Sequence, residues 1–424
     1  MHADPAQRSL AEWLAVLEHL HPSTIDLGLD RVRRVYERLQ PDLRHSRSVI
    51  VGGTNGKGST VAMLAGALRA AGHSVGTYTS PHLLRYNERV TLDGSAVGDA
   101  ALCQAFAAVE AVRGAVSLTY FEYGTLAALQ LFAQARPDYL LLEIGLGGRL
   151  DAVNIVEPEL CILTNVALDH VDWLGATREA IGYEKAGIFR AGKPALYGER
   201  AVPGSVRAQA EHIGTTLLCQ GEHFAWEERG GTWIWRGRDA AGQPLELCDL
   251  PRNDFPLDNA AAVVQALQLL APDLPRAALH QGLAQAQVPG RLQRCHYQGR
   301  KVILDVAHNP HAAANLARNI TERIRKEGAG RVLLVLGMLG DKDSAGVLAH
   351  LVPCVDHIYA ATLGGERGAP AEIIYNHARR LGAEATCHPS VQEAFLAAHR
   401  EATAADTLIV TGSFFTVAAV LELI

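Results

Sequence analysis

The chain has 424 residues, of which 48% are hydrophobic and 20% are charged, and its formal net charge is -6 at pH 7. This length predicts two domains, and the ordinary balance of apolar and charged residues excludes a disordered chain. The slight acidic excess argues against nucleic acid or an anionic membrane as a partner, because both call for clustered basic charge.

The expected compartment follows from the N-terminal sequence, the apolar stretches and the cysteines of the chain. The N-terminus has no basic segment followed by an apolar one, and no uninterrupted apolar stretch is long enough to span a bilayer. Seven cysteines are scattered singly without C-x-x-C spacing, which predicts reduced thiols rather than a zinc site. We therefore expect a cytoplasmic protein, and since no extended apolar interface is apparent, a monomer.

Eight short apolar runs predict buried strands, and segments of helical period such as 60–71 and 310–327 lie between most of them. The runs are SVIVGG, SVGTYTS, YLLLEIG, LCILTNV, VILDVAHN, RVLLVLGML, HIYAATL and TLIVTGS. Continuous apolar strands that alternate with helices predict parallel sheets covered on both faces, and hence an α/β fold.

Two changes in this pattern suggest how the chain is divided. From about residue 216 to 250, apolar and polar residues alternate between Gly-rich turns, which predicts a small antiparallel insertion. A Pro-Gly turn then precedes a polar segment, after which strands and helices alternate again. We predict a larger first domain over residues 1–294 and a smaller second domain over residues 295–424.

The segment SVIVGGTNGKGSTVAMLAGAL places a Gly-rich turn between an apolar strand and a helix. Glycines let backbone N–H groups converge on phosphate, and the helix N-terminus adds a positive dipole. We interpret residues 53–60 as a phosphate cradle with Lys57 as its mobile cation. The segment departs from the strict P-loop motif at Val51 and Gly58. The alternative interpretation is a Gly-rich turn with an incidental lysine.

Polar residues lie at or just after the ends of several predicted strands, at the edge where open α/β sheets bind ligands. Ser80, Glu143 and His170 occupy such positions. With the Ser59 hydroxyl they are candidate ligands for Mg²⁺. A carboxylate at Glu143 is costly to bury without a cation or hydrogen-bond donors, whereas His170, taken alone, is more often a hydrogen-bonded loop histidine.

Taken in order, the motifs resemble the folylpolyglutamate synthase family of the Mur ligase superfamily, particularly its bifunctional dihydrofolate synthase/folylpolyglutamate synthase form. The matching strings are GTNGKGST, TSPHLLRYNERV, FEYGTLAAL, EIGLGGRLDAVN, TNVALDHVDWLG, EKAGIFR, PGR, DVAHNPHA and GMLGDKD. The resemblance implies an N-terminal P-loop nucleotide-binding domain, with a mostly parallel sheet and a small antiparallel part, and a smaller C-terminal Rossmann-like domain.

The resemblance also implies an activity. It is an ATP-dependent ligation of L-glutamate to dihydropteroate and to reduced folates, through an acyl phosphate and with release of ADP and phosphate. Such chemistry requires Mg²⁺, and the family pattern implies two ions. ATP, glutamate and the folate-type acid are the expected partners.

Site residues follow from the same resemblance. The ATP-binding positions are Thr54, Asn55, Gly56, Lys57, Gly58, Ser59, Thr60, Asn259, Arg291 and Asp305. The metal ligands are Ser59, Ser80, Glu143 and His170, and the catalytic group is Lys57, Glu143, His170 and Lys185. Glutamate would contact Arg89, His308 and Ser413. The pterin or folate would contact Asp26, Leu27, Gly28, Leu29, Phe121 and Asp151.

Lys185 matches a carbamylated lysine of the family. An amine close to metal cations has a depressed pKa, so that its neutral form can take up CO₂. Simpler interpretations exist for this and other positions: a Lys185–Glu184 ion pair, an Arg89–Glu88 ion pair, a surface arginine at 291 and a core side chain at Phe121.

Two other functions share part of this pattern. A muramoyl amino-acid ligase has the same cradle, but the sequence before the cradle is too short for the additional domain that such enzymes carry. A motor or switch ATPase needs the cradle without the Glu143, His170 and Lys185 group. Formation of ADP only when both the acid and glutamate are present distinguishes a ligase from such an ATPase.

Overall fold

The computed structural model describes residues 7–328 and 330–424 and has the predicted α/β fold. The chain forms two compact units, of which the first extends to Ala286 and the second covers Gln287–Ile424. Residues 1–6 of the predicted first domain lie outside the described residues. The predicted boundary at 294/295 falls inside a strand of the second unit, Gln293–Tyr297.

Eight strands form the main sheet of the first unit. They are β1 (Arg47–Gly52), β2 (Val75–Tyr78), β3 (Val90–Leu92), β4 (Ser95–Ala96), β5 (Tyr139–Glu143), β6 (Leu160–Leu163), β7 (Pro194–Tyr197) and β8 (Thr216–Cys219). Their spatial order is β4-β3-β2-β5-β1-β6-β7-β8. Strand β3 is antiparallel to β2 and β4, and the other pairs are parallel. The carboxyl end of central strand β1 therefore lies beside those of β5 and β6.

Most helices of the first unit lie between its strands, as the sequence pattern predicts, and two precede the first strand. The helices are α1 (Leu10–His19), α2 (Asp30–Leu39), α3 (Lys57–Ala70), α4 (Asp99–Arg113), α5 (Tyr120–Ala135), α6 (Val171–Leu174), α7 (Arg178–Ala186), α8 (Gly204–Ile213), α9 (Leu257–Leu270) and α10 (Arg276–Gln285). Most of α9 is buried, and its sequence is correspondingly rich in Ala, Val and Leu. The unit's core is rich in aromatic side chains, including Trp13, Phe106, Tyr123 and Phe132.

The predicted antiparallel insertion is present, although it begins later than expected. It consists of β9 (Ala225–Arg229), β10 (Thr232–Arg238) and β11 (Pro244–Pro251), with β10 in the middle. Trp233 and Trp235 on β10 are fully buried. Residues 216–219, which the prediction included, instead form β8 and pair in parallel with β7.

Helices α3 and α10 approach one another through their backbones. A Cβ atom added at Gly282 would lie 2.3 Å from the backbone nitrogen of Ala67, and one added at Gly66 would lie 3.2 Å from the Cα of Gly282. Only glycine allows this separation. The helix that starts at the phosphate cradle is thus held directly against the last helix of the first unit.

The second unit has one six-stranded sheet, in the order β12-β13-β17-β14-β15-β16. Its strands are β12 (Gln293–Tyr297), β13 (Arg300–Leu304), β14 (Val332–Leu336), β15 (His357–Ala361), β16 (Ala385–His388) and β17 (Thr407–Thr411). Only the β12–β13 pair is antiparallel among its named strands. The helices are α11 (Pro310–Asn319), α12 (Ser344–Leu351), α13 (Ala371–Arg380), α14 (Val391–Glu401) and α15 (Phe414–Leu421).

Asp406 joins two neighbouring strands of this sheet where they begin. Its carboxylate accepts hydrogen bonds from the backbone nitrogens of Arg331 (2.7 Å) and Thr403 (2.8 Å), and from the Arg331 guanidinium (3.0 Å). Burial by itself would raise the pKa of Asp406, but these hydrogen bonds lower it to about 2. The carboxylate thereby fastens the start of β14 to the start of β17.

The predicted reduced thiols are found, since all seven cysteines are free. Cys161 and Cys354, which lie in apolar runs, are buried. None of the described helices combines the length and apolarity that crossing a membrane requires.

Candidate active site

The phosphate cradle, residues 53–60, connects the end of β1 to the start of α3. Gly53 and Gly56 have φ angles of 139° and 82°. A Cβ at Gly53 would lie 1.8 Å from the Thr164 hydroxyl oxygen, and one at Gly56 would lie 2.2 Å from the side-chain nitrogen of Asn259. Both the backbone conformation and the close neighbours therefore require glycine. Helix α3 begins at Lys57, so its N-terminal backbone N–H groups belong to the cradle.

Lys57 and Glu143 face one another across the carboxyl ends of β1 and β5. The Nζ atom of Lys57 lies 4.0 Å from Oε1 of Glu143 and donates to the backbone oxygens of Gly53 and Thr54. Glu143 is 5% exposed, and its Oε2 accepts a hydrogen bond from the backbone nitrogen of Ser80 at 3.2 Å. The structure thus supplies the cation and the donor that a buried carboxylate needs.

The hydroxyls at the start of α3 point back into the cradle. Ser59 and Thr60 each donate to the Gly56 carbonyl oxygen at 2.9 Å. Asn259, at the start of α9, donates to the Ser59 hydroxyl oxygen at 3.2 Å. The Ser59 proton is directed at a carbonyl and one lone pair accepts from Asn259, so its oxygen keeps one lone pair for a further ligand.

Asn165, which was not among the residues predicted from the sequence, holds the cradle through Asn55. It follows β6, and its side-chain oxygen accepts from the Asn55 nitrogen at 3.0 Å while its side-chain nitrogen donates to the Asn55 oxygen at 2.9 Å. The Thr54 nitrogen donates to the Asn165 backbone oxygen at 3.0 Å. An asparagine two residues after an apolar strand was the available signal.

Lys185 lies in α7, and its side chain reaches the cradle at Gly53. It is 5% exposed, and its Nζ donates to the Gly53 carbonyl oxygen at 2.9 Å. Burial, reinforced by the positive charge of Lys57, lowers the pKa of Lys185 to about 7. The alternative interpretation was an ion pair between Lys185 and Glu184. In the structure, Glu184 instead pairs with Arg149 at 2.8 Å.

Asp151 is another buried acid of the first unit. It is 3% exposed and accepts from the backbone nitrogens of Leu146 (2.8 Å) and Val153 (3.0 Å), which begins a short 3₁₀ helix at Ala152–Ile155. Burial raises the pKa of Asp151 to about 6. Asp151 therefore orders the loop that follows β5.

His170 lies in a loop that is tied to the cradle. The Ala167 nitrogen donates to the Thr54 hydroxyl at 3.0 Å, and that hydroxyl donates to the Ala167 oxygen at 3.2 Å. His170 precedes α6 with a φ of 52°, an uncommon conformation for a residue other than glycine. Its Nε2 lies 4.0 Å from the Asp169 carboxylate.

The predicted pterin-binding residues form a second group within the first unit. Asp26 pairs with Arg31 at 2.7 Å and with His21 at 3.2 Å, and Arg31 also pairs with Glu122 at 3.2 Å. Leu27, Gly28 and Leu29 continue from Asp26 to the start of α2.

Phe121 follows the first residue of α5. Its ring centroid lies 5.9 Å from that of Tyr78, and a Cβ added at Gly145 would approach the ring to 2.5 Å. Phe121 thus covers the loop after β5 that carries Asp151, and its side chain is half-buried.

Arg89 is a buried arginine, 9% exposed, at the end of a 3₁₀ helix over Tyr86–Arg89. Its Nε donates to Nδ1 of His82 at 2.8 Å, and its guanidinium lies over the rings of Tyr86 (5.3 Å) and Tyr120 (5.5 Å). The predicted alternative partner, Glu88, instead accepts from backbone nitrogens in the preceding turn.

In the second unit, the predicted residues lie at the carboxyl ends of β13 and β17. Asp305 is 9% exposed and accepts from the backbone nitrogens of Leu292 and Ala307, each at 2.9 Å. Burial raises the pKa of Asp305, opposed by the neighbouring Arg291 guanidinium. His308 Nδ1 bonds to the Val306 carbonyl oxygen at 2.8 Å.

Phe414, which the sequence analysis did not select, connects these residues to the start of α15. The Arg291 guanidinium lies 4.9 Å above its ring, and the His308 ring lies 6.3 Å from it. The neighbouring Ser413 caps α15 by accepting from the Thr416 nitrogen at 3.0 Å.

Comparison with known proteins agrees with this arrangement. The Mur ligase middle domain matches residues 51–198, and the Mur ligase glutamate ligase domain matches residues 290–414. The dihydrofolate synthase/folylpolyglutamate synthase of Escherichia coli (strain K12) is 46% identical over 419 residues, which cover 99% of this chain and 96% of that protein.

Solved structures show the same similarity. E. coli FolC in complex with DHPP and ADP has a TM-score of 0.92 and 46% identity, covering 99% of this chain and 98% of that chain. A bifunctional folylpolyglutamate synthase/dihydrofolate synthase with Mn, AMPPNP and L-glutamate bound has a TM-score of 0.90 and 45% identity, at the same coverage. The chain therefore belongs to the bifunctional dihydrofolate synthase/folylpolyglutamate synthase family of Mur ligases.

Proposed function

We propose that the chain is an ATP-dependent ligase that joins L-glutamate to dihydropteroate and to reduced folates through an acyl phosphate. The observation that carries this proposal is the convergence of Lys57 and Lys185 on the Gly53 carbonyl, with Glu143 4.0 Å from Lys57. A carboxylate becomes reactive toward an amine once ATP has phosphorylated it, and phosphoryl transfer depends on fixed positive charge.

In this proposal, the phosphates of the nucleotide bind at the cradle, residues 53–60, against the N-terminus of α3. Lys57 neutralises charge that develops on the migrating phosphoryl group. Its contacts to the Gly53 and Thr54 carbonyls are long, at 3.2 and 3.3 Å, so the ammonium can exchange them for phosphate oxygens. Arg291 and Asp305 of the second unit are the further proposed ATP contacts, together with Asn259.

The oxygen atoms around the cradle are suitable ligands for Mg²⁺. Glu143 supplies a buried carboxylate, Ser59 a hydroxyl oxygen with one remaining lone pair, and Ser80 a second hydroxyl. These are the hard oxygen ligands that Mg²⁺ prefers. With His170 they would hold the two ions expected from the family, and bound Mg²⁺ would supply charge neutralisation to the phosphates. The relative with Mn and AMPPNP bound supports divalent metal use.

Lys185 is proposed to be carbamylated. Its pKa of about 7 leaves a large neutral fraction near physiological pH, and only the neutral amine reacts with CO₂. The C–N bond forms as the amine loses a proton, and the resulting anion would be stabilised by the neighbouring cations. The glutamate contacts are proposed to be Arg89, His308 and Ser413.

Folate binding is proposed for the group formed by Asp26–Leu29, Phe121 and Asp151. A carboxylate can accept hydrogen bonds from the amino group and ring N–H groups of a pterin, and an aromatic ring can stack on it. The relative bound to DHPP and ADP supports a pteroate-type substrate. A cytoplasmic location and a monomeric state stay predictions from the sequence.

One assay tests the proposed function. The protein is incubated with ATP, Mg²⁺, L-glutamate and either dihydropteroate or tetrahydrofolate, and the product mass is measured. We expect addition of one glutamate residue to each acid, and ADP only when both the acid and glutamate are present. For Lys57→Ala we expect the ligation rate to fall, because the transition state loses about 3 kcal/mol or more of stabilisation. ATP turnover independent of glutamate would favour a motor or switch ATPase instead.

A further inference from the structure

Arg89 is a buried cation that the described chain does not neutralise. Within residues 7–328 and 330–424, its contacts are the His82 ring and the faces of Tyr86 and Tyr120, and none of them is a carboxylate. Burying a guanidinium without a counter-ion is unfavourable. This arrangement therefore suits an anion that arrives with a substrate.

His82 fixes the orientation of this guanidinium. The Nε–H of arginine can only donate, so Nδ1 of His82 must accept, and the proton of the neutral imidazole lies on Nε2. The bond occupies Nε at 2.8 Å and leaves both terminal nitrogens of Arg89 for a ligand. Two parallel N–H donors are the geometry that binds a carboxylate in bidentate fashion.

The surroundings hold both side chains in place. The Arg89 guanidinium lies 5.3 Å and 5.5 Å from the centroids of two tyrosine rings, which restrict its plane. The His82 ring in turn lies 5.7 Å from the Tyr86 ring. Rotation of Arg89 about its terminal bonds is then controlled mainly by the hydrogen bond to His82.

Glu88 anchors the turn between the two residues and does not compete for Arg89. Its carboxylate accepts from the backbone nitrogens of Leu83 (2.7 Å), Leu84 (2.9 Å) and Arg85 (2.7 Å). Three backbone donors satisfy most of the hydrogen-bonding capacity of a carboxylate. The turn that carries His82 is thereby fixed relative to the helical turn that carries Arg89.

We propose that His82 is a positioning residue, which holds Arg89 in the orientation that receives a carboxylate of the incoming L-glutamate. This inference rests on the proposed function, in which Arg89 binds glutamate. His82 itself does not have to touch the substrate. Its loss should weaken glutamate binding selectively, because the ATP and folate contacts involve other residues.

The test compares three substitutions at position 82 by steady-state kinetics with each substrate varied in turn. In His82→Ala, we expect the KM for glutamate to rise about tenfold, with kcat and the KM for ATP and for dihydropteroate within about twofold of wild type. His82→Asn, whose side-chain oxygen can accept the same Nε–H, should restore most of the affinity. His82→Phe retains a ring without an acceptor and should resemble the alanine variant.

A matched control uses His223, whose Nδ1 likewise accepts a hydrogen bond, from the Cys219 nitrogen at 3.0 Å, in a turn after β8. His223→Ala should leave the KM for glutamate unchanged. Thermal unfolding of every variant checks that the chain is folded. A wild-type KM for glutamate in His82→Ala, or equal impairment of the asparagine and phenylalanine variants, would overturn the positioning role. Failure of the wild-type protein to ligate glutamate would instead contradict the proposed function.

Discussion

At the scale of single residues, the chemistry of the cradle depends on groups that are far apart in the sequence. Lys57 and Glu143 were selected because each lies at or after the end of an apolar strand, and Lys185 because its motif resembles the family; the structure brings the three close to Gly53. Asn165 and His82 could not be predicted, because their roles depend on partners that only the fold supplies. The Asn165–Asn55 contact spans 110 positions, and the His82–Arg89 bond depends on a turn that Glu88 closes.

Lys185 offers a prediction at this scale. A pKa of about 7 means that raising the pH from 6 to 8 converts the amine from mostly protonated to mostly neutral. After removal of CO₂, we expect equilibration under the same partial pressure of CO₂ to restore ligase activity faster at pH 8 than at pH 6, because dissolved CO₂ is then equal at both pH values and only the neutral amine reacts with it. Product formation over time at the two pH values measures this.

Lys185→Ala should lose most activity and regain part of it with a short carboxylic acid that replaces the carbamate. Lys193, which pairs with Glu159 on the surface at 3.0 Å, provides the comparison, and Lys193→Ala should behave like wild type. Full activity of Lys185→Ala without added acid would argue against any role for this lysine.

At the scale of elements, each of the eight apolar runs contains a strand, because continuous Val, Ile and Leu are required where both faces are covered, but the buried strand β7 was not among them. The short strands β3 and β4 and the edge strand β8 were harder to recognise. Residues 216–219 precede an alternating segment, and their partly exposed edge position weakens the apolar signal. Helix 310–327 was predicted as one element, whereas the structure changes from α11 to a π-helical turn at Ile320–Ile324.

Contact between α3 and α10 leads to a prediction for Gly282→Ala. The added Cβ would lie 2.3 Å from the Ala67 backbone nitrogen, so the two helices must separate. We expect the free energy of unfolding to fall by about 2 kcal/mol, despite the better helix propensity of alanine. ATP affinity should also fall, since α3 carries the cradle. Urea denaturation and nucleotide titration measure the two effects.

Gly204, in α8, is the matched control. A Cβ at this position would meet only a carboxylate oxygen of Glu179, at an ordinary 3.7 Å. Gly204→Ala should therefore leave unfolding and ATP binding close to wild type. Similar behaviour of the two alanine variants would show that the close approach of the helices is not what limits substitution at Gly282.

At the scale of the whole molecule, the order of strands and helices predicted two α/β units. The Pro-Gly turn did not predict the exact residue at which the first unit ends and the second begins. Strand β12 begins soon after that turn, and its antiparallel pairing with β13 places it in the second unit. Polar residues such as Gln293 and Arg294 resemble a linker in sequence, although they form an edge strand in the structure.

Acid stability of the chain provides a prediction at this scale. Asp406 has a pKa of about 2 in the folded protein against an ordinary value of 3.8, so its contribution is present above about pH 4 and is lost as the pH falls through 2. Asp406→Asn should lower the free energy of unfolding by about 2 kcal/mol at pH 7. The difference from wild type should shrink below pH 4, as measured by urea denaturation at several pH values.

Asp341 supplies the control, because its ion pair with Arg367 is exposed to solvent. Asp341→Asn should change stability by less than about 0.5 kcal/mol at any pH. If Asp406→Asn were as stable as wild type at pH 7, the link between β14 and β17 would contribute little to folding.

The contact between Asn259 and the cradle has a consequence for how the protein is made. Asn259 bonds to Ser59 across 200 positions, and Lys185 bonds to Gly53 across 132. A ribosome releases the glycine turn long before either partner exists, and contacts between distant segments form late in folding. We therefore expect a nascent chain to remain unable to hold nucleotide until α9 has been synthesised and has docked.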